Sequence, residues 1–228
     1  MRFLCLHGLG TNSEIFSAQT VSLRYEMEEG HTFDFVEGTI PASPAPETTS
    51  YYPDAAAHFN YFDLNSVSSM QLALEQLDEY VKLQGPYDGV IAYSHGAALV
   101  ATYIVAQTLG LGLNDDGTPR AHPFKCAIFI SGARPADPKA LQQGELRLLN
   151  AEQDGVLLRL PTAHIWGTND ALYPDTSEYL SQLCDPESRA VFLHEEGHNV
   201  PSGKAREAVL GASKAIRRTV DKAMAVVL

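Results

Sequence analysis

Six short apolar runs alternate with longer segments of helical period along this chain, a rhythm that limits it to a mostly parallel sheet covered by helices. The runs are RFLCL at 2–6, TFDFV at 32–36, GVIAY at 89–93, CAIFI at 126–130, AHIW at 163–166 and AVFLH at 190–194. Between them, residues 66–83 place Val67, Met70, Leu72, Leu74, Leu77, Tyr80 and Val81 on a broad helical stripe. Residues 97–109 and 204–220 also read as helices, the second with Lys214, Arg217 and Arg218 on a solvated face. The length of 228 residues predicts a single α/β domain over 1–228 with about six central strands.

Two stretches break the rhythm. Residues 38–65 hold several prolines and a cluster of aromatics with little periodicity, and residues 132–161 form a second irregular insertion. In an α/β fold such excursions sit over the carboxyl edge of the sheet, so both are expected around a binding-site entrance. Tyr51, Tyr52, Phe59, Tyr61 and Phe62 are the expected lining of an acyl pocket, with a self-packed surface loop as the alternative.

A formal charge of −12 disfavours nucleic acid and anionic membrane surfaces as partners, because long-range repulsion opposes approach. The three cysteines, Cys5, Cys126 and Cys184, form no C-x-x-C pair and read as buried free thiols of a reducing compartment. RFLCLHG is too short for a signal-peptide core, and no segment approaches the ~18 apolar residues of a membrane span. A cytoplasmic location is the expectation.

The run GVIAY leads into SHGAAL, one residue short of a G-x-S-x-G nucleophile elbow, because Ala92 stands at the first glycine. Ser94 directly follows a strand and precedes a helix, as an elbow requires. A serine hydroxyl is a weak nucleophile and needs a base, an orienting acid and donors for the developing oxyanion. On such folds the partners follow in the order serine, acid, histidine. Asp170 comes just after the strand ending at Trp166, and His198 lies in a turn after the next strand. All three candidates therefore meet at one sheet edge. Asp175 is the alternative acid, whereas Asp154 precedes its strand and faces the opposite edge. His194 and His164 lie within strands, and His122 lies in a loop with no expected partner.

The loop LHGLGTN after the first run supplies an oxyanion donor, the Leu9 amide, with Gly8 and Gly10 letting the backbone turn inward. The His95 amide, next to the serine, is the second donor, and the following helix adds its positive end. The imidazoles of His7 and His95 need no chemical role. Residues 194–198, HEEGH, spell a zinc motif that works only on a helix, and Gly197 and Pro201 argue against one. No metal or organic cofactor is expected.

Taken together, LCLHGLGTNSEIF, YYPDAAAHFNYFD, YSHGAAL, IWGTNDALYP and EEGHNVP resemble the fungal-type FSH serine hydrolases, a compact branch of the α/β hydrolases. That family commonly shows G-F-S-x-G, from which Ala92 and Tyr93 depart. The resemblance implies a Ser94, Asp170 and His198 triad in an esterase or thioesterase acting on small-molecule acyl substrates. It also implies polyketide chains of secondary metabolism, carried as thioesters on an acyl carrier protein or polyketide synthase, as substrates. The rival readings are a small-carboxylester esterase of general metabolism, a non-hydrolytic small-molecule binding protein on the same fold, and a lyase or cyclase on the same scaffold.

Overall fold

The computed structural model describes residues 1–27, 29–46, 57–111 and 122–225. Six strands, β1 (Arg2–Leu6), β2 (Thr32–Val36), β5 (Gly89–Tyr93), β6 (Cys126–Ile130), β7 (Thr162–Gly167) and β8 (Arg189–His194), form one sheet. Its order is β2-β1-β5-β6-β7-β8, and every pairing is parallel. A small antiparallel pair, β3 (Ile40–Pro41) and β4 (Phe59–Asn60), lies apart from it. Each apolar run of the sequence is thus a strand, to within one residue at either end.

The strands need no alternation of polar residues because helices cover both faces. Leu4, Leu6, Val90, Ala92, Ala127 and Phe129 project into one core, against α3 (Val67–Gln84) and α4 (His95–Thr108). The intervening Phe3, Cys5, Ile91, Cys126, Ile128 and Ile130 project into the other. There they meet α1 (Ser13–Gln19), α2 (Val21–Glu26) and the long amphipathic α8 (Arg206–Ala225). Helix α4 is buried on every side from His95 to Val105, which explains its lack of a polar stripe. Asn12 caps α1 by accepting from the Ile15 amide at 2.8 Å, and Ser66 caps α3 by accepting from Ser69 at 3.2 Å.

From β1 the chain runs outward to β2 and then returns to build β5 on the other side of β1. The order therefore reverses between β1 and β5, and a crevice at their carboxyl ends is the place where such sheets hold ligands. The loop 7–12 and the turn at Ser94 leave the sheet there.

Residues 132–161 contribute two short helices, α5 (Pro138–Gln142) and α6 (Ala151–Asp154). An Arg147 guanidinium braces this segment by pairing with Asp137 and Asp154 at 2.6 and 2.8 Å. The segment packs against α3 and α4, where the Gln71 amide donates to the Leu141 carbonyl at 2.7 Å. α7 (Thr176–Gln182) follows β7 and buries Leu180.

Candidate active site

The turn at Ser94 carries φ 49° and ψ −109°, a left-handed conformation that a non-glycine residue adopts only when its surroundings impose it. Those surroundings are visible. The Ser94 amide donates to Ile130 O at 3.0 Å, and its carbonyl accepts from the Ala97 and Ala98 amides. Gly96 lets the helix press onto the loop after β1, since a Cβ there would stand 2.6 Å from His7 O and 2.8 Å from Leu6 Cβ. The Gly96 amide donates to that same His7 carbonyl at 3.2 Å.

The Ser94 hydroxyl lies 2.8 Å from His198 Nε2, and His198 Nδ1 lies 2.6 Å from Asp170 Oδ2. A carboxylate only accepts, so the proton sits on Nδ1 and leaves Nε2 to accept from the serine. The other Asp170 oxygen accepts from the Leu172 and Tyr173 amides, both at 3.0 Å. The imidazole and the carboxylate side chains are 3% and 7% exposed, so water hardly screens the contact between them. Asp175, the alternative acid, instead precedes α7 as its N-cap with φ 65°.

The loops that hold the acid and the base are interlocked. Asn169 donates from Nδ2 to Glu195 O and accepts at Oδ1 from the Gly197 amide, each at 2.8 Å. Thr168 donates to His194 O through both its amide and its hydroxyl. Gly167 has no room for a side chain, because a Cβ would stand 2.1 Å from Gly197 O. Asn169 was not singled out from sequence, although its place beside Asp170 in the GTND turn was the available signal.

Beside the serine, the loop 7–12 is tightly fixed. Thr11 donates its hydroxyl to Gly8 O at 3.1 Å, and His7 Nδ1 lies 2.8 Å from the same oxygen. The Gly10 amide donates to Asn60 Oδ1 at 2.9 Å, and Gly10 O accepts from Ala45 at 3.0 Å. Gly10 takes φ +60°, and a Cβ there would stand 2.6 Å from Ser43 O. Among the described residues, neither the Leu9 nor the His95 amide donates to a protein acceptor.

A cavity of about 280 Å³ opens at the serine, between Leu9 and Gly10, residues 42–46, Asn60 and Tyr173. No charged side chain among the described residues lines it. The expected lining differs from the observed one. Tyr61 is buried, accepting at its hydroxyl from the His7 amide and donating to Val36 O, both at 2.9 Å. Phe62 is buried as well, stacked on the His95 ring at 3.9 Å between centroids. Phe59 is half-buried on β4 and does not border the cavity. Tyr61 and Phe62 therefore pack inward, against the loop 7–12 and α4. Tyr51 and Tyr52 lie outside the described residues. Of the segment 132–161, the Ala133 amide donates to Ser94 O at 3.3 Å, while no residue of it lines this cavity.

The remaining histidines have structural surroundings. His95 Nε2 accepts from the Tyr61 and Phe62 amides at 3.2 and 3.3 Å, and burial pushes its pKa down to about 3. His194 closes β8 and accepts at Nδ1 from the Glu196 amide, so HEEGH is a strand end and a turn, not a helix face. The thiols are buried and free, and burial raises Cys126 and Cys184 to about 12 and Cys5 higher still, too high for any to act as nucleophile.

A serine on a strained strand-to-helix turn, reaching a carboxylate through one imidazole at the switch point of a parallel sheet, places the fold among the α/β hydrolases. Comparison with known proteins narrows this class. The family model described as "Serine hydrolase (FSH1)" matches residues 1–209, and the chain belongs to that family. Among curated proteins it is similar to "Esterase FPY3" of Fusarium mangiferae, 35% identical over 98% of this chain and 99% of that protein. It is also 30% identical to "Probable esterase tazC" of Aspergillus terreus, over 88% of this chain and 85% of the relative. Among solved structures, the Bacillus cereus carboxylesterase shares the fold with a TM-score of 0.53 at 18% identity, over 93% of this chain and 87% of that one. The chain is a serine hydrolase of an esterase-containing family.

Proposed function

We propose that Ser94, His198 and Asp170 are the catalytic triad of an enzyme that hydrolyses a neutral acyl ester or thioester through an acyl-enzyme. The observation that carries this reading is the unbroken contact from Ser94 Oγ through His198 to Asp170, at 2.8 and 2.6 Å. His198 takes the serine proton as the oxygen attacks the carbonyl, and the Leu9 and His95 amides hold the oxyanion. His198 then returns the proton to the leaving oxygen or sulfur, and water repeats the sequence on the acyl-enzyme. Asp170 keeps the imidazole in the required tautomer.

The cavity of about 280 Å³, which no charged side chain among the described residues lines, sits at the small end of ligand pockets and supports a short, neutral acyl group. The family resemblance extends the reading to secondary metabolism, with polyketide-type acyl groups carried as small-molecule esters or on an acyl carrier protein. Three buried free thiols accord with a reducing cytoplasmic setting, and no helix among the described residues is long and apolar enough to cross a membrane.

A fluorophosphonate probe tests the triad. The expected result is a single adduct mapped to Ser94, absent from Ser94→Ala, whose hydrolysis of an activated ester falls by at least about a thousandfold. A wild-type chain that does not label, or a Ser94→Ala chain that does, overturns the assignment. Matched oxygen esters and thioesters of increasing acyl length then define the leaving group and the acyl size.

A further inference from the structure

We infer that Tyr93 is a positioning residue for the base, holding His198 through a hydrogen bond from its hydroxyl to the His198 carbonyl. The inference rests on the triad reading above. Tyr93 ends β5, immediately before the nucleophile, and is 1% exposed. Its hydroxyl donates to His198 O at 2.8 Å, joining residues 105 apart in sequence.

Three parts of the site meet on this one side chain. Its ring lies 5.4 Å from the His198 imidazole centroid at an interplanar angle of 40°. The ring also fills the space beside Gly8, where a Cβ would stand 2.7 Å from Cδ1 and Cε1 of Tyr93. Phe16 of α1 stacks on the ring at 6.0 Å and 13°, which fixes its plane from another direction. The hydroxyl therefore cannot swing away without displacing the loop 7–12 or Phe16.

His198 itself sits in a short loop with a left-handed Gly197 at φ 60°. Two of the contacts on this loop flank the imidazole: Asn169 Oδ1 accepts from the Gly197 amide, and Tyr93 donates to the carbonyl of His198. One contact precedes the imidazole and one follows it, so together they limit rotation of the base toward Ser94 and Asp170. Asn169 links the base to the acid loop, whereas Tyr93 links it to the strand of the nucleophile. Without the hydroxyl, the His198 carbonyl loses that buried donor and the loop gains freedom along the direction that sets the distance from Nε2 to Oγ.

Tyr93→Phe removes one oxygen and keeps the ring. The expected result is a fall in kcat and in the rate of fluorophosphonate labelling of roughly tenfold each, with KM unchanged within about twofold. The downfield proton resonance of His198 Nδ1–H, assigned by its loss in Asp170→Asn, should broaden through faster exchange in Tyr93→Phe. Ile216→Val, on the buried face of α8, is the control for general destabilisation: it lowers the thermal midpoint but keeps kcat. An unchanged kcat in Tyr93→Phe, an unchanged resonance, or an equal loss of kcat in Ile216→Val overturns the inference. The resonance needs no turnover, so it tests the Tyr93 contact even if Ser94→Ala labels and the triad assignment fails.

Discussion

Ala92 stands where the elbow pattern has a glycine, yet its methyl group is fully buried in the core beneath the sheet. Its backbone is ordinary strand, paired with Leu6 and Phe129, so nothing in its conformation requires glycine. The second glycine is different, because the Gly96 Cβ position is blocked by His7 O and Leu6. We therefore expect Ala92→Gly to destabilise the protein by about 1–2 kcal/mol, the sum of a lost buried methyl and a more flexible unfolded chain. Urea denaturation measures the loss, and ester hydrolysis should stay within about twofold of the parent. At this scale the sequence was legible for the proposed triad, since Ser94, Asp170 and His198 each follow a strand of the one sheet. Tyr93 was legible only as a departure from the family pattern, because a tyrosine at the end of an apolar strand looks like core packing until its hydroxyl is seen to reach another loop.

Short links between elements keep the site in register. The strap 57–62 is bound to α4 by a single imidazole, with His95 Nε2 accepting from both the Tyr61 and Phe62 amides. His95→Leu fills the space but offers no acceptor, so two buried N–H groups lose their partner. The expected cost is about 1–3 kcal/mol, with hydrogen exchange accelerating first at Tyr61 and Phe62, read by exchange mass spectrometry or NMR. Retained protection at those two amides would show that the His95 acceptor does not hold the strap. The aromatic cluster around residues 59–62 was visible in the sequence, but its direction was not. Rings that pack against a sheet and rings that line a ligand cavity have the same composition, and only the path of the backbone separates them. Likewise, the irregularity of residues 132–161 marked an insertion without saying that it would lie against α3 and α4.

Across the whole molecule, burial holds three imidazoles neutral: His95 and His164 are pushed down to about 3 and His194 to about 4. In the unfolded chain each regains an ordinary value near 6.5, so between about pH 6.5 and pH 4 the unfolded state binds more protons than the folded one. Stability from these groups is complete above that window and is lost as the pH falls through it. His164→Gln, which keeps a partner for Thr162, should reduce the slope of stability against pH there by up to about 1.4 kcal/mol per pH unit. Urea midpoints measured from pH 4 to 7 for both chains provide the check, and parallel curves would count against a neutral buried His164. Strand identities and the parallel sense of the sheet could be read from the apolar runs. The order of the strands could not, because it depends on which side of β1 the chain returns to after β2.

β8 is an edge strand, paired among the described residues with β7, and Val191 and Leu193 are half-exposed on it. The histidine hangs from the end of this strand, while the serine hangs from the interior of the sheet. Fraying at the rim would separate a proton acceptor from its donor while the centre stayed intact. In such an architecture, heating is expected to silence the chemistry before the centre melts, and rescue on cooling then demands no more than the re-zipping of one peripheral ribbon.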